Sequence, residues 1–117
     1  MHKRSYIYMD EENFYCDNKC KDMIEFFWKN NLKTYCSCED NKGALNGFMI
    51  GFKEEVSDKD IEEFLKPYLT KNGHTSLRGA FVKWVRYSNL KPIYNWFYYA
   101  RNSDIANEDL KKFKGGI

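Results

Sequence analysis

Four cysteines are the residues of this chain whose type and spacing could support metal chemistry. Cys16 and Cys20 are separated by three residues, and Cys36 and Cys38 by one. Four thiolates can hold a tetrahedral zinc ion, and these four would converge if a strand carrying the second pair met the start of a helix carrying Cys20. Neither spacing is that of a zinc ribbon, and free cysteines are among the most buried residues. We therefore expect buried thiols and no cofactor, with structural zinc as the alternative.

The rest of the sequence contains no evident catalytic constellation. His74 lies in a turn-like segment, residues 72–76, and a lone histidine in a loop is more often solvated than a general base. There is no glycine-rich phosphate loop, no pair of helical histidines and no nucleophile elbow. We therefore predict that the protein is not an enzyme. The alternative, a small nuclease or nucleotide hydrolase, would need His74 or the cysteines in a cleft among carboxylates.

The composition is that of one globular domain. The chain has 117 residues, of which 43% are hydrophobic and 31% are charged, and we expect a single compact domain over residues 1–117. The longest apolar runs fall far short of the ~20 residues of a membrane-spanning helix. No apolar segment follows the basic amino terminus, as it would in a signal peptide. The sequence therefore predicts a cytoplasmic protein without a membrane partner, whose cysteines stay reduced.

Hydrophobic periodicity predicts the elements that must position these side chains. Strand-forming composition marks five segments, residues 5–9, 34–38, 47–52, 77–87 and 93–101. Apolar stripes at helical spacing mark three more, residues 18–30, 57–69 and, more weakly, 103–113. Asp17 and Ser57 stand where they could cap the first two helices. Pro67 is expected to kink the second helix or end it early.

Turn-forming runs connect these segments. Residues 10–13 are expected to end the first strand, while residues 39–43 and 88–92 each join two strands into a hairpin. The predicted order is β-α-β-β-α-β-β with a short terminal helix. This order is typical of an α+β fold in which two helices cover one face of an antiparallel sheet, ferredoxin-like with an extra strand.

The segment 77–101 differs from the rest of the chain in charge and in aromatic content. It holds five basic residues, no acidic residue and eight aromatic residues, whereas residues 1–76 are net acidic. Side chains alternate between the two faces of a strand, so both faces of this hairpin carry aromatic rings. If helices cover only one face, the other presents rings beside cations, as protein interfaces and single-stranded nucleic-acid platforms do. The alternative is that both faces are buried as core.

We therefore predict that this hairpin binds a partner. The predicted anchors are Trp84, Arg86, Trp96, Tyr98, Arg101, Lys83 and Lys91. The segment 78–84 partly resembles the first RNA-contacting motif of RNA-recognition domains, but it follows the second helix, whereas that family places the motif before it. No RNA-contacting role is assigned to residues on that basis.

The whole chain resembles the small anti-defence proteins of phages and mobile elements, of the anti-CRISPR type. The resemblance consists of its size, its many Lys, Asn, Ile, Tyr and Phe residues, and its lack of a catalytic motif. It implies a non-enzymatic inhibitor that docks on a host nuclease or an RNA-guided defence complex, so the partner would be a nucleic-acid-processing complex. One alternative is a single-stranded nucleic-acid-binding module that uses residues 77–101. A homodimer through an exposed strand of that hairpin is a further expectation.

Overall fold

A computed structural model describes residues 3–9, 12–42 and 46–115 of the chain, and these residues form two antiparallel sheets and three helices. The strands are β1 (Arg4–Met9), β2 (Glu12–Asp17), β3 (Thr34–Asn41), β4 (Gly47–Phe52), β5 (Ala80–Ser88) and β6 (Lys91–Ala100). The helices are α1 (Lys21–Lys29), α2 (Asp58–Leu65) and α3 (Ser103–Phe113). Strands β1 and β2 form a hairpin, and the other four form a main sheet in the order β3-β4-β6-β5. The predicted α+β class is confirmed.

The amino-terminal hairpin is the main departure from the predicted order. Glu12 and Asn13, expected to end the first strand, instead begin β2, which pairs with β1 through Ile7 opposite Phe14. Residues 10 and 11 lie outside the described residues. The order therefore has one more strand than predicted, and β1 lies outside the main sheet, whereas a ferredoxin-like arrangement would include it. The polar residues at the start of β2 conceal its alternation in the sequence.

All three helices cover the same face of the main sheet, whereas the prediction placed two helices there and gave the terminal helix no position. Phe27 of α1 lies at the centre of this core, with its ring centroid 5.0 Å from that of Phe52 on β4 and 6.1 Å from that of Phe81 on β5. Phe64 of α2 contacts Phe81, and Phe113 of α3 contacts Phe27. The aromatic side chains of the helices and those of the strands therefore pack together in one core. Within the described residues, no helix is long and apolar enough to cross a membrane.

Helix α2 begins at the predicted capping box. The Ser57 hydroxyl accepts a hydrogen bond from the Asp60 N–H (3.2 Å), and the Asp60 carboxylate accepts one from the Ser57 N–H (2.9 Å). These contacts satisfy backbone donors that have no partner inside the helix. The helix ends at Leu65 and continues for one 3-10 turn that contains Pro67, so the expected early ending is confirmed. Leu69 has extended backbone, and the predicted stripe therefore ends before it.

Asp17 does not cap the first helix, contrary to the prediction. A 3-10 turn over residues 18–20 precedes α1, and the Asp17 side chain makes no capping hydrogen bond there. Its carboxylate instead accepts a hydrogen bond from the Glu39 N–H of β3, at 2.9 Å. Residues 39–41, predicted as part of a turn, extend β3, and residues 43–45 lie outside the described residues. Asp17 therefore joins the amino-terminal hairpin to the main sheet.

Strands β5 and β6 form a hairpin with a shorter turn than predicted. Ser88 is paired with Lys91, and the two residues between them, Asn89 and Leu90, have φ angles of 51° and 64°. Two consecutive residues with positive φ are the mark of a type I′ turn, whose twist suits a two-residue hairpin. The register then continues without a shift from this turn to Ala80 opposite Tyr99. The turn therefore determines which side chains of β5 and β6 share a face.

Candidate functional site

One face of the main sheet carries no helix in the part of the chain that the structure describes. The register places Trp84 opposite Asn95, and Val82 opposite Phe97, on this side. We call this surface the open face. It consists of Tyr35, Cys36, Cys38, Met49, Val82, Trp84, Arg86, Ile93, Asn95, Phe97 and Tyr99. Its two large half-exposed rings, Tyr35 (47%) and Trp84 (44%), are accessible to a partner.

The centre of the open face is apolar and closely packed. Phe97 is only 7% exposed although no helix covers it, because the Tyr35 ring packs edge-on against it at 6.2 Å. Beneath these side chains lies Gly51, where an added Cβ would sit 2.7 Å from the Phe97 ring and 2.6 Å from the Cys36 sulfur. Glycine is therefore required for this close approach. An apolar centre is also found in protein interfaces, where a more polar rim surrounds it.

A hydrogen-bonded chain of polar groups holds Arg86 on the open face. The buried Asn95 amide donates to the Phe52 carbonyl oxygen (2.9 Å), and its oxygen accepts from Arg86 Nε (3.2 Å). A second nitrogen of Arg86 lies 3.0 Å from a Glu54 carboxylate oxygen. Two fixed partners reduce the number of orientations of the guanidinium, so little further conformational entropy remains to be lost in a contact with another molecule.

Tyr35 lies beside this polar chain and remains a neutral hydroxyl. Burial raises the pKa of Tyr35 to about 12, so the phenol is protonated at neutral pH and can both donate and accept a hydrogen bond. Tyr35, Arg86 and Glu54 line one shallow cavity of about 370 Å³. The Tyr35 ring, the Arg86 guanidinium and the Glu54 carboxylate therefore all border the same cavity, which is open to the solvent.

Acidic residues neutralise most of the basic residues of segment 77–101. Three ion pairs are formed, Arg78–Glu108 (2.7 Å), Lys83–Asp58 (3.0 Å) and Arg86–Glu54 (3.0 Å). Within the described chain, Lys91 and Arg101 have no carboxylate partner. Of the five basic residues of segment 77–101, only these two therefore lack a nearby carboxylate in the described part of the chain.

The predicted anchors do not form one surface. Trp84, Arg86 and Lys91 lie on the side of the open face, and Arg101 is exposed just after β6. Trp96 and Lys83 lie on the opposite side, where both donate hydrogen bonds to Asp58. The predicted set combines Trp84 of β5 with Trp96 of β6, but the register pairs even with odd positions, such as 84 with 95, so these two rings lie on opposite faces.

Tyr98 requires a correction, because it cannot anchor a partner. It is 0% exposed, and its hydroxyl donates a hydrogen bond of 2.7 Å to the buried Asp109. Burial, followed by the neighbouring carboxylate, raises the pKa of Tyr98 well above its usual range. Tyr98 therefore belongs to the core. The residues that sequence analysis missed on the open face are Tyr35, Asn95 and Phe97, and the signal that identifies them is the strand register.

A second aromatic surface lies on the outer side of the amino-terminal hairpin. Tyr6 and Tyr15 are paired across β1 and β2 with their ring centroids 5.1 Å apart, and Tyr8 is also exposed. A cleft of about 460 Å³ separates β2 from β3, and Tyr15 and Tyr35 both line it. The exposed aromatic surface therefore extends from the open face across this cleft to the hairpin.

The four cysteines do not converge, contrary to what the zinc alternative requires. Cys36 and Cys38 lie on the open face, whereas Cys20 is hydrogen-bonded to Ser37, which faces the helices. Among the described residues, no three His, Cys, Asp or Glu side chains are placed to share a metal ion. Strand β3 does meet the start of the first helix, but its alternation directs the second cysteine pair away from Cys20.

The thiols are also poorly suited to nucleophilic chemistry. Cys16 and Cys36 line the cleft together with Glu12 and Asp17, the kind of surrounding that an enzyme would need. Burial, however, raises the pKa of Cys16 to about 11 and raises that of Cys36, and a reactive thiolate requires a lowered pKa. His74 is exposed in the loop after α2, where its carbonyl accepts a hydrogen bond from the Thr70 N–H.

We expect the free energy of unfolding to fall as the pH rises above about 9. Burial raises the folded-state pKa of Cys16, Cys20 and Cys36 above the usual value of 9.0. Above that pH the unfolded chain loses thiol protons that the folded chain retains. The unfolded state then binds fewer protons, so stability is unaffected below the usual thiol pKa and falls above it.

This pH dependence can be measured as the denaturant midpoint at about pH 8, 9 and 10 under reducing conditions. The variant Cys20→Ala removes the most deeply buried of these thiols, and we expect it to lower the steepness of the decline. A midpoint that stays constant throughout this interval would show that the thiols are not buried as described.

Comparisons with protein-family models, with curated proteins and with solved structures found no match to this chain.

Proposed function

We propose that this chain is a non-enzymatic binding protein that docks on a protein partner through the open face. The observation that supports this most directly is that the open face combines two half-exposed rings, Tyr35 and Trp84, with an Arg86 side chain that is held in place by hydrogen bonds. Tyr, Trp and Arg are the residues that most often dominate the binding energy of protein interfaces. The closely packed Phe97 supplies the apolar centre.

The distribution of charge favours a protein over a nucleic acid as the partner. Binding of nucleic acid depends on cations that neutralise phosphates and release counterions. Three of the five basic residues of segment 77–101 already have carboxylate partners within 3.0 Å. Glu54, at the edge of the open face, would also repel phosphate. A single-stranded nucleic-acid-binding module is thus the second candidate.

The class of partner follows from the resemblance to anti-defence proteins. It leads us to propose a host nuclease or an RNA-guided defence complex in the cytoplasm, inhibited because the open face covers a surface that the complex needs. Such an inhibitor requires shape and anchor residues and no chemistry of its own, which agrees with the raised thiol pKa values in the cleft.

The proposal is tested by capture of partners from a bacterial lysate with the tagged chain, with and without nuclease treatment. Trp84→Ala removes an anchor of the open face, and Tyr94→Ala removes a similarly exposed ring from the opposite face of the same hairpin. We expect Trp84→Ala to weaken binding by about 2 kcal/mol, roughly thirtyfold, and Tyr94→Ala to have little effect.

The outcomes separate the two candidate functions. The inhibitor proposal would be supported if the wild-type chain still captures a host nuclease or defence complex after nucleic acid has been digested. Trp84→Ala should then lose this complex, and Tyr94→Ala should retain it. Recovery that disappears on nuclease treatment would instead favour the nucleic-acid-binding module. Equal effects of the two variants would show that the open face is not the docking surface.

A further inference from the structure

Strand β5 forms an uncovered edge of the main sheet. Within the described chain its only paired neighbour is β6, and most of its residues are exposed. The nine residues of β5 pair with β6 in one continuous register, without a bulge, and none of them is proline. Bulges, prolines and short length are the usual means by which natural proteins block pairing at a sheet edge. This edge has none of the three.

The type I′ turn identifies which backbone groups of β5 point to the free edge. In a two-residue hairpin the residues that flank the turn, here Ser88 and Lys91, form a hydrogen-bonded pair. Hydrogen-bonded and non-hydrogen-bonded pairs then alternate along the ladder. Even-numbered residues of β5 therefore bond to β6, and the N–H and C=O groups of Phe81, Lys83, Val85 and Tyr87 point outward.

Charged side chains could still protect this edge, but both of those on β5 are held elsewhere. Lys83 pairs with Asp58 over the helix-covered face, where it also lies 5.0 Å from the centre of the Tyr94 ring. Arg86 is held on the open face by Glu54 and Asn95. Neither cation extends beyond the edge, and each has an opposite charge beside it.

The sequence of β5 is complementary to itself in one antiparallel register. When Trp84 faces Trp84 of a second copy, all nine residues of the strand pair, Lys83 faces Val85, and Arg86 faces Val82. The outward groups of the odd-numbered residues then face each other, as an antiparallel ladder requires. Centring the pair on Lys83 or Arg86 instead places like charges opposite each other, and centring it on Val85 shortens the ladder.

We propose that two copies of the chain form a symmetric dimer in which their β5 strands pair antiparallel about Trp84. The two main sheets then form one continuous sheet, and Phe81 of each copy faces Tyr87 of the other, an aromatic cross-strand pair of the kind that stabilises antiparallel sheets. Residues that face each other lie on the same side of the sheet, so both open faces lie on one side. This inference uses the edge of the sheet and does not depend on the identity of the docking partner.

The dimer is tested by sedimentation equilibrium of the full chain and of two variants at one position. Val85→Lys places a lysine opposite Lys83 of the other copy, and symmetry repeats this like-charge pair on both sides of Trp84. We therefore expect the dissociation constant of the dimer to rise about tenfold or more. Val85→Glu makes the same loss of valine but places a carboxylate opposite Lys83, and the dimer should persist or tighten. Far-ultraviolet circular dichroism of both variants checks that the chain remains folded.

Amide hydrogen exchange at low and high protein concentration locates the interface. In the dimer the N–H groups of Phe81, Lys83, Val85 and Tyr87 should gain protection with concentration, while those of the intervening residues are protected throughout. A wild-type chain that remains monomeric up to millimolar concentration would overturn the proposal. So would equal weakening by the two Val85 variants, or a dimer whose odd-numbered β5 amides exchange as fast as in the monomer.

Discussion

Replacing Phe27 by alanine is expected to lower the free energy of unfolding by about 4 kcal/mol. The side chain is completely buried, and its ring contacts those of Phe52, Phe81 and Phe113 from three other elements. Truncation removes these contacts and leaves a cavity between α1 and the main sheet that rigid strands cannot close. Because small domains have a total stability of about 5–15 kcal/mol, this loss is a large fraction of the total. Denaturant titration followed by circular dichroism measures the loss.

Two further variants of the same helix calibrate this loss. Phe27→Leu retains most of the buried volume, and we expect it to cost no more than about 1.5 kcal/mol. Phe26→Ala removes the neighbouring ring, which is only partly buried and stacks on Phe113, and its effect should lie between the other two. If Phe27→Ala cost no more than Phe26→Ala, α1 would not pack on the sheet as described.

Replacing Asp109 by alanine is expected to cost about 3 kcal/mol, because it leaves several buried donors without an acceptor. The carboxylate is 0% exposed. It accepts hydrogen bonds from the N–H groups of Arg78 (2.8 Å) and Gly79 (2.7 Å) and from the Tyr98 hydroxyl (2.7 Å). One side chain of α3 thus joins the segment before β5 to the centre of β6. Thermal and denaturant unfolding both measure the loss.

Glu108→Ala is the matched control for Asp109→Ala. Glu108 is the adjacent residue of the same helix, but its side chain is half-exposed and makes a surface ion pair with Arg78. Such pairs contribute about 0–1 kcal/mol, so this variant should unfold almost as the wild type does. Equal losses for the two variants would contradict the buried network around Asp109.

Local signals explain the parts of the fold that could be predicted from the sequence. The capping box at Ser57, the effect of Pro67 and the strand-forming composition of residues 47–52 each depend on neighbours within a few residues. That residues 12–17 form a strand could not be predicted from their neighbours in the sequence. They pair with β1 because this pairing buries Ile7 and Cys16 against the core, which is formed by distant segments. Asp109 was missed for the same reason: its partners are about 11 and 30 residues distant.

The candidate site was predictable in its location and not in its members. The charge and aromatic content of segment 77–101 indicated the hairpin, and Trp84 and Arg86 do lie on the open face. Their role as anchors stays a prediction. Which rings share that face depends on the two-residue turn, because a turn longer or shorter by one residue would exchange the faces of β6 relative to β5. A leucine at positive φ, Leu90, gave no sequence signal of such a turn.

The attachment of the amino-terminal hairpin has a consequence for motion. Among the described residues, no ladder joins β2 to the main sheet. Polar contacts connect them, from Asp17 to the Glu39 N–H of β3 and from Glu12 to Lys53 just after β4 (2.8 Å). The hairpin is also anchored by Ile7 and Cys16, whose side chains are buried in the core, so it cannot separate without exposing apolar surface. Because no backbone ladder reinforces this attachment, we expect the hairpin to have lower local stability than the main sheet. The two parts should therefore differ in amide hydrogen exchange, with faster exchange in β1 and β2 than in β4 and β6.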